Sequence, residues 1–108
     1  MRLKVCAASD LDARPVRVFE WKASGGTKEG IVVKAADGIY ACQRYCSHDA
    51  FPLEFGKIEG QHTLHCTCHG SEFDLTNGAV TRLPAKAPLD VYSVTVETGV
   101  IFVDVPDA

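Results

Sequence analysis

Cys46-Ser47-His48 and Cys66-Thr67-Cys68-His69 offer two thiols and two imidazoles from two short motifs, C-x-H and C-x-x-H, seventeen residues apart. Both side chains bind soft or borderline metals, cysteine as the thiolate and histidine as the neutral ring. Two chemistries can use such a set. A zinc ion would take Cys46, His48, Cys66 and either Cys68 or His69, with Cys42 in reserve. An Fe₂S₂ core, usually cradled by four thiolates, can instead be held by two thiolates and two histidines. Its oxidised form carries a formal charge of about +2, so two thiolates leave the site near neutral where four would leave it near −2. An electron enters a neutral site more easily, and the potential rises. Structural zinc sites favour pairs spaced C-x₂₋₄-C or H-x₃₋₅-H, and neither motif is best read that way.

Together with Gly70-Ser71 and the segment Leu83-Pro84-Ala85-Lys86-Ala87-Pro88-Leu89, these motifs resemble the Rieske iron–sulfur family, over roughly residues 40–105. The resemblance implies one [2Fe–2S] cluster per chain, with Cys46 and Cys66 on one iron, His48 and His69 on the other, and the proline-containing segment covering it. Each imidazole would keep its second nitrogen near solvent. Ser71 stands where a hydroxyl bonds a bridging sulfide in high-potential relatives, and Phe73 where they carry a tyrosine. Cys68 stands where membrane-bound cytochrome bc relatives form a disulfide, but the partner position is Phe51, so a shielded thiol is expected instead. One hydroxyl kept, one lost and no disulfide put the potential in the lower half of the ~−150 to +300 mV Rieske span.

By the same resemblance the chain is a monomeric one-electron carrier rather than an enzyme. It would pass electrons from a flavin-dependent reductase to a terminal oxygenase in transient encounters. The alternatives are the small Rieske subunit of an NADH-dependent nitrite reductase and, outside the family, a zinc-binding interaction module. No catalytic residues are expected, since no nucleophile–base pair, phosphate loop or carboxylate dyad is evident. Cys6 and Cys42 lie in apolar stretches and read as small hydrophobes. His62 and His65, in a strand before Cys66, read as scaffold.

The elements that position the motifs are short strands between turns. Runs at 2–7, 16–21, 30–36, 39–43, 57–59, 62–65, 72–75, 79–82, 91–97 and 100–105 are rich in β-branched and aromatic residues. Asp37-Gly38, Gly60-Gln61, Asn77-Gly78 and Thr98-Gly99 mark hairpins, with Asn77-Gly78 the strongest, and Ser24 to Thr27 reads as a flexible connection. Ser9-Asp10-Leu11-Asp12 has capping-box spacing, but Pro15 halts any helix within two turns. The expected fold is all-β: a Rieske-type sandwich or small barrel, residues 1–108 as one domain, with an inserted cluster-binding subdomain at about 44–83 made of two loops.

A net charge of −3 without a basic run excludes nucleic acid as a partner. The apolar run near the start is four residues long, too short for a signal peptide or a membrane span. A cytoplasmic protein with no membrane partner is expected. Phe51-Pro52-Leu53 and Pro84-Ala85 would make an apolar docking spot, with Glu54, Glu59, Glu72 and Asp74 as an acidic rim steering basic partners.

Overall fold

Ten strands run through the residues that a computed structural model of the chain describes, 1–48, 50–68 and 70–106. They are β1 (Arg2–Ala7), β2 (Val16–Ala23), β3 (Gly26–Ala35), β4 (Gly38–Gln43), β5 (Lys57–Glu59), β6 (Thr63–His65), β7 (Glu72–Asp74), β8 (Val80–Arg82), β9 (Val91–Glu97) and β10 (Val100–Asp104). One helical turn, α1 (Asp10–Ala13), follows β1, and a 3₁₀ turn, Leu53–Phe55, lies beyond the first motif. The all-β expectation holds. A six-stranded antiparallel sheet has the order β1-β10-β9-β4-β3-β2, and a four-stranded one, β5-β6-β7-β8, is inserted in the chain between β4 and β9.

The larger sheet is joined across its middle by only two residue pairs, Ala41↔Tyr92 and Cys42↔Val91. Its halves therefore act as two faces, and one core draws on both: Phe19, Trp21 and Ala41 from one, Cys6, Ile101 and Val103 from the other. Strand β3 explains how the small sheet attaches. Side chains alternate along a strand, and here Val32 enters that sandwich core while Ile31, Val33 and Ala35 enter a second core. The uninterrupted apolar run Ile31-Val32-Val33 is the signature of a strand covered on both faces. The second core adds Leu53, Leu64, Phe73, Leu75 and Leu89, with Cys42, Cys46 and Cys66. Three-residue strands cannot stand alone in water. Burying Leu64 and Phe73 completely, at roughly 1.5–3 kcal/mol each, is what fastens the small sheet to β3.

Three local expectations differ from what is found. Ser24 to Thr27 is no flexible connection: β2 and β3 pair down to Ala23↔Gly26, leaving a tight turn at Ser24-Gly25. Ser9 makes no side-chain cap, because its own backbone is already helical (φ −65, ψ −20), whereas an N-cap needs extended backbone. Asp10 Oδ2 instead accepts from the Ala7 N–H at 3.1 Å. Asn77-Gly78 sits in a longer turn than a two-residue hairpin. Asp74 organises it, its side chain accepting from the Thr76 N–H (2.8 Å) and its carbonyl from the Gly78 N–H (2.6 Å).

Candidate metal centre

Each cysteine motif begins where a strand of one sheet ends. β4 runs out at Gln43 and reaches Cys46, while β6 ends at His65 and is followed at once by Cys66. The two turns have one hydrogen-bond pattern. Cys46 N–H donates to the Phe51 carbonyl (2.8 Å) and its own carbonyl accepts from the Ala50 N–H (2.9 Å). Cys66 N–H donates to the Ser71 carbonyl (2.8 Å) and its carbonyl accepts from the Gly70 N–H (2.9 Å). The fifth residue of each turn is left-handed, Ala50 at φ 59 and Gly70 at φ 84. Unequal sequence spacings, C-x-H and C-x-x-H, are thus carried on equivalent scaffolds.

Cys46 and Cys66 are 4% and 1% exposed and belong to the same core, whereas His48 is exposed. Buried thiols and an exposed His48 fit a cluster with its sulfur ligands on the inner side and the His48 imidazole toward solvent. His69, the fourth expected ligand, lies outside the described residues. Cys42 lies on β4 outside both loops, and complete burial pushes its thiol up to about 12. Cys6 is likewise buried, its thiol raised by desolvation. Cys68 corrects an expectation: it is exposed rather than shielded.

A brace missed by the sequence reading holds the first loop. Arg44 donates through Nε and Nη2 to both oxygens of Glu54, the Nη2–Oε2 distance being 2.6 Å, and through Nη1 to Glu29 on β3. Its backbone carbonyl accepts from the Leu53 N–H at 2.7 Å. One residue therefore ties together the start of the loop, its far end and the large sheet. Burial is the largest single influence and would raise the Glu54 carboxyl, but the hydrogen bonds from Arg44, a backbone hydrogen bond and the charges of Arg44 and Arg14 together hold the group below the usual range. The only sequence signal was an arginine ten residues before a glutamate, which is not specific.

The 83–89 segment is fastened to both loops. The Ala85 N–H donates to Ser71 Oγ at 3.0 Å, and Ser47 Oγ donates to the Ala87 carbonyl at 2.6 Å. Ser71 is fully buried, and as an acceptor here it still has its own hydroxyl proton to donate. The apolar spot lies elsewhere than expected. Leu53 and Ala85 are buried in the core, while Phe55 and Leu83 stand 60% and 69% exposed. The acidic rim is largely engaged in contacts within the chain. Glu54 is bound by Arg44, Glu72 by His65 (2.9 Å) with Arg82 at 3.8 Å, and Asp74 by Thr76, leaving Glu59 exposed. The hydrogen bond from His65 is the main reason that Glu72 sits below the usual carboxylate range. Glu59, His65 and Glu72 bring donor atoms within 4.8 Å of one another on the small sheet, next to the ends of the second loop.

Comparison with known proteins agrees with this geometry. The family model described as "Rieske [2Fe-2S] domain" matches residues 1–93. The ferredoxin CarAc of Metapseudomonas resinovorans is 32% identical over 101 residues, covering 94% of this chain and 91% of that protein. A 3-phenylpropionate/cinnamic acid dioxygenase ferredoxin subunit of Shigella flexneri is 41% identical over 70 residues, 65% of this chain and 66%, just under two thirds, of that protein's length. Among solved structures, a complex of reduced oxygenase and oxidized ferredoxin in carbazole 1,9a-dioxygenase contains a chain with TM-score 0.77 and 31% identity, covering 94% of this chain and all of that one.

Proposed function

The chain belongs to the Rieske [2Fe–2S] domain family, and on that premise we propose that it is a one-electron carrier delivering electrons from a flavin-dependent reductase to a terminal oxygenase. The observation that carries this reading is the pair of matching turns that present Cys46 and Cys66 from the core beside the exposed His48. Cys46, His48, Cys66 and His69 would hold the cluster, which when bound accepts and releases a single electron. The chain's own residues do the rest. Burial of both cysteines excludes water from the sulfur side, the Arg44 brace and the Ser71–Ala85 bond fix the loops, and His48 marks the side from which a partner approaches.

The relatives named as ferredoxins favour a freely diffusing carrier over a fixed subunit of a nitrite reductase. Fixed small loops also suit outer-sphere electron transfer, since little has to move when the charge changes. Residues 1–108 would act as one monomeric domain, and a radius of gyration of 13.1 Å is that of a single compact body of this length. No helix among the described residues is long and apolar enough to cross a membrane. A reducing cytoplasm would keep its thiols in the state that cluster assembly needs.

Anaerobically purified protein should hold about two iron and two acid-labile sulfide per chain. On reduction its EPR spectrum should show the lower average g of a mixed cysteine–histidine cluster. Cys46→Ser, Cys66→Ser, His48→Ala and His69→Ala should each lose the cluster, whereas Cys6→Ser, Cys42→Ser and Cys68→Ser should keep it. Stoichiometric zinc without labile sulfide would overturn the assignment.

A further inference from the structure

The two ligand loops match residue for residue across their necks. In the first, Cys46 is hydrogen-bonded to Phe51 and Tyr45 bridges to Pro52. In the second, Cys66 is hydrogen-bonded to Ser71 and His65 stands opposite Glu72. These equivalent positions are filled very differently. Proline offers no side-chain hydrogen bond, so the first neck is held from one step below, by Arg44 on Glu54, and by Tyr45 Oη, which donates to Glu29 at 3.2 Å. At the second neck the task falls to a pair that faces directly across it. His65 Nδ1 lies 2.9 Å from Glu72 Oε2, and the two side chains are only 20% and 18% exposed, so water screens their bond less than it would a surface pair.

Glu72 also ties in a third segment. β7 and β8 slip register at this point, so that Glu72 is opposite Arg82 while Phe73 is opposite Val80, and Arg82 comes within 3.8 Å of the carboxylate. All three residues adjoin the parts that would hold the cluster: His65 precedes Cys66, Glu72 follows Ser71, and Arg82 precedes the covering segment 83–89. A like charge opposes them. Glu59 brings a carboxylate oxygen within 4.8 Å of the donor atoms of His65 and Glu72. Without the imidazole, Glu72 would face Glu59, and the exposed Arg82 would be its ion-pair partner among the described residues.

We propose that His65 and Glu72 are positioning residues for electron transfer. Their bond keeps the neck of the second loop closed and so fixes the loop that bears Cys66 and His69, doing for it what Arg44 does for the first. A partly buried hydrogen bond to a charged group resists opening by on the order of tenfold or more. A ligand loop that keeps its shape has little to rearrange when the charge beside it changes. The proposal rests on the electron-carrier reading and adds to it the residues that hold one of the two ligand loops rigid.

His62 supplies the control, because it makes the same kind of bond, Nδ1 to Asp37 Oδ2 at 2.7 Å, just beyond the other end of β6. Each holo-variant would be reduced for EPR and, in its oxidised form, followed for iron release to a chelator well below its melting temperature. His65→Ala should shift and broaden the g values and speed iron release on the order of tenfold. His62→Ala should lower Tm but keep the parent's g values and a release rate within about twofold of it. His65→Asn, whose amide can donate from the place of Nδ1, should return both readouts most of the way to the parent. Should His65→Ala take up no cluster, Glu72→Gln, which keeps an oxygen acceptor, should assemble one and release iron faster than the parent. Equal effects of His65→Ala and His62→Ala, no recovery in His65→Asn, or parent-like release from Glu72→Gln would overturn the positioning role while leaving the carrier reading intact. A parent protein without a cluster would overturn the carrier reading itself.

Discussion

Gly78→Ala should destabilise the protein far beyond what its surface turn suggests, and should do so through the segment that covers the cluster loops. Gly78 has φ +80, and a Cβ placed there would lie 2.1 Å from the Leu89 carbonyl oxygen. Two costs add. Holding a non-glycine residue in the left-handed region costs about 1–2 kcal/mol. Relieving the collision means moving Leu89 by about 1 Å to reach an ordinary contact, which breaks the 2.9 Å bond from the Leu89 N–H to the Gly78 carbonyl, at about 0.5–1.5 kcal/mol. The sum, about 1.5–3.5 kcal/mol, corresponds to a fall in Tm of roughly 7–15 °C for a domain of this size. Gly60→Ala separates the terms. Gly60 has nearly the same backbone strain, φ +58, with nothing within 4 Å of its Cβ, so only the first cost applies. Leu89 closes the segment that Ser71 and Ser47 fasten over the loops, so Gly78→Ala should also lower the iron retained per chain where Gly60→Ala does not. Thermal melts with iron analysis measure both. Equal losses in the two variants would refute the role given to the Gly78–Leu89 contact.

Ser71→Ala leaves the Ala85 N–H buried without its acceptor and should cost about 1–3 kcal/mol in chemical denaturation, loosening the covering segment. Glu54→Gln should cost about 2–3 kcal/mol near neutral pH, less than a fully buried pair because Arg44 keeps Glu29 and partial access to water. Its pH dependence has a definite sign. The Glu54 carboxyl is held below its ordinary value, so the stability it contributes is complete above about pH 4.5 and is lost as pH falls through the lowered pKa. The gap in denaturation free energy between the parent and Glu54→Gln should therefore close on acidification, and a gap that widens below pH 4.5 would contradict the ionised brace.

Whatever depends on residue type and short spacing is legible before any folding is considered. Donor chemistry is intrinsic to cysteine and histidine, so C-x-H and C-x-x-H, with Gly70-Ser71 and the 83–89 segment, were enough to point to the family. Alternation of β-branched residues and two-residue turns such as Thr98-Gly99, both residues at positive φ, are equally local, and the strands were placed to within a few residues. Tertiary structure decided everything that depends on which distant groups meet. Leu53 and Ala85 are as apolar as Phe55 and Leu83, yet the former pair is buried in the core and the latter exposed, because the 3₁₀ turn and the Ser71–Ala85 bond orient them. Glu54 and Glu72 read as solvated acids until Arg44 and His65 are brought to them across the fold. Cys68 and Cys42 have the same thiol, but one lies in an exposed turn and the other between two sheets. Burial and pairing are properties of the assembled chain, because desolvation and Coulomb energy depend on distances that no local stretch of sequence contains.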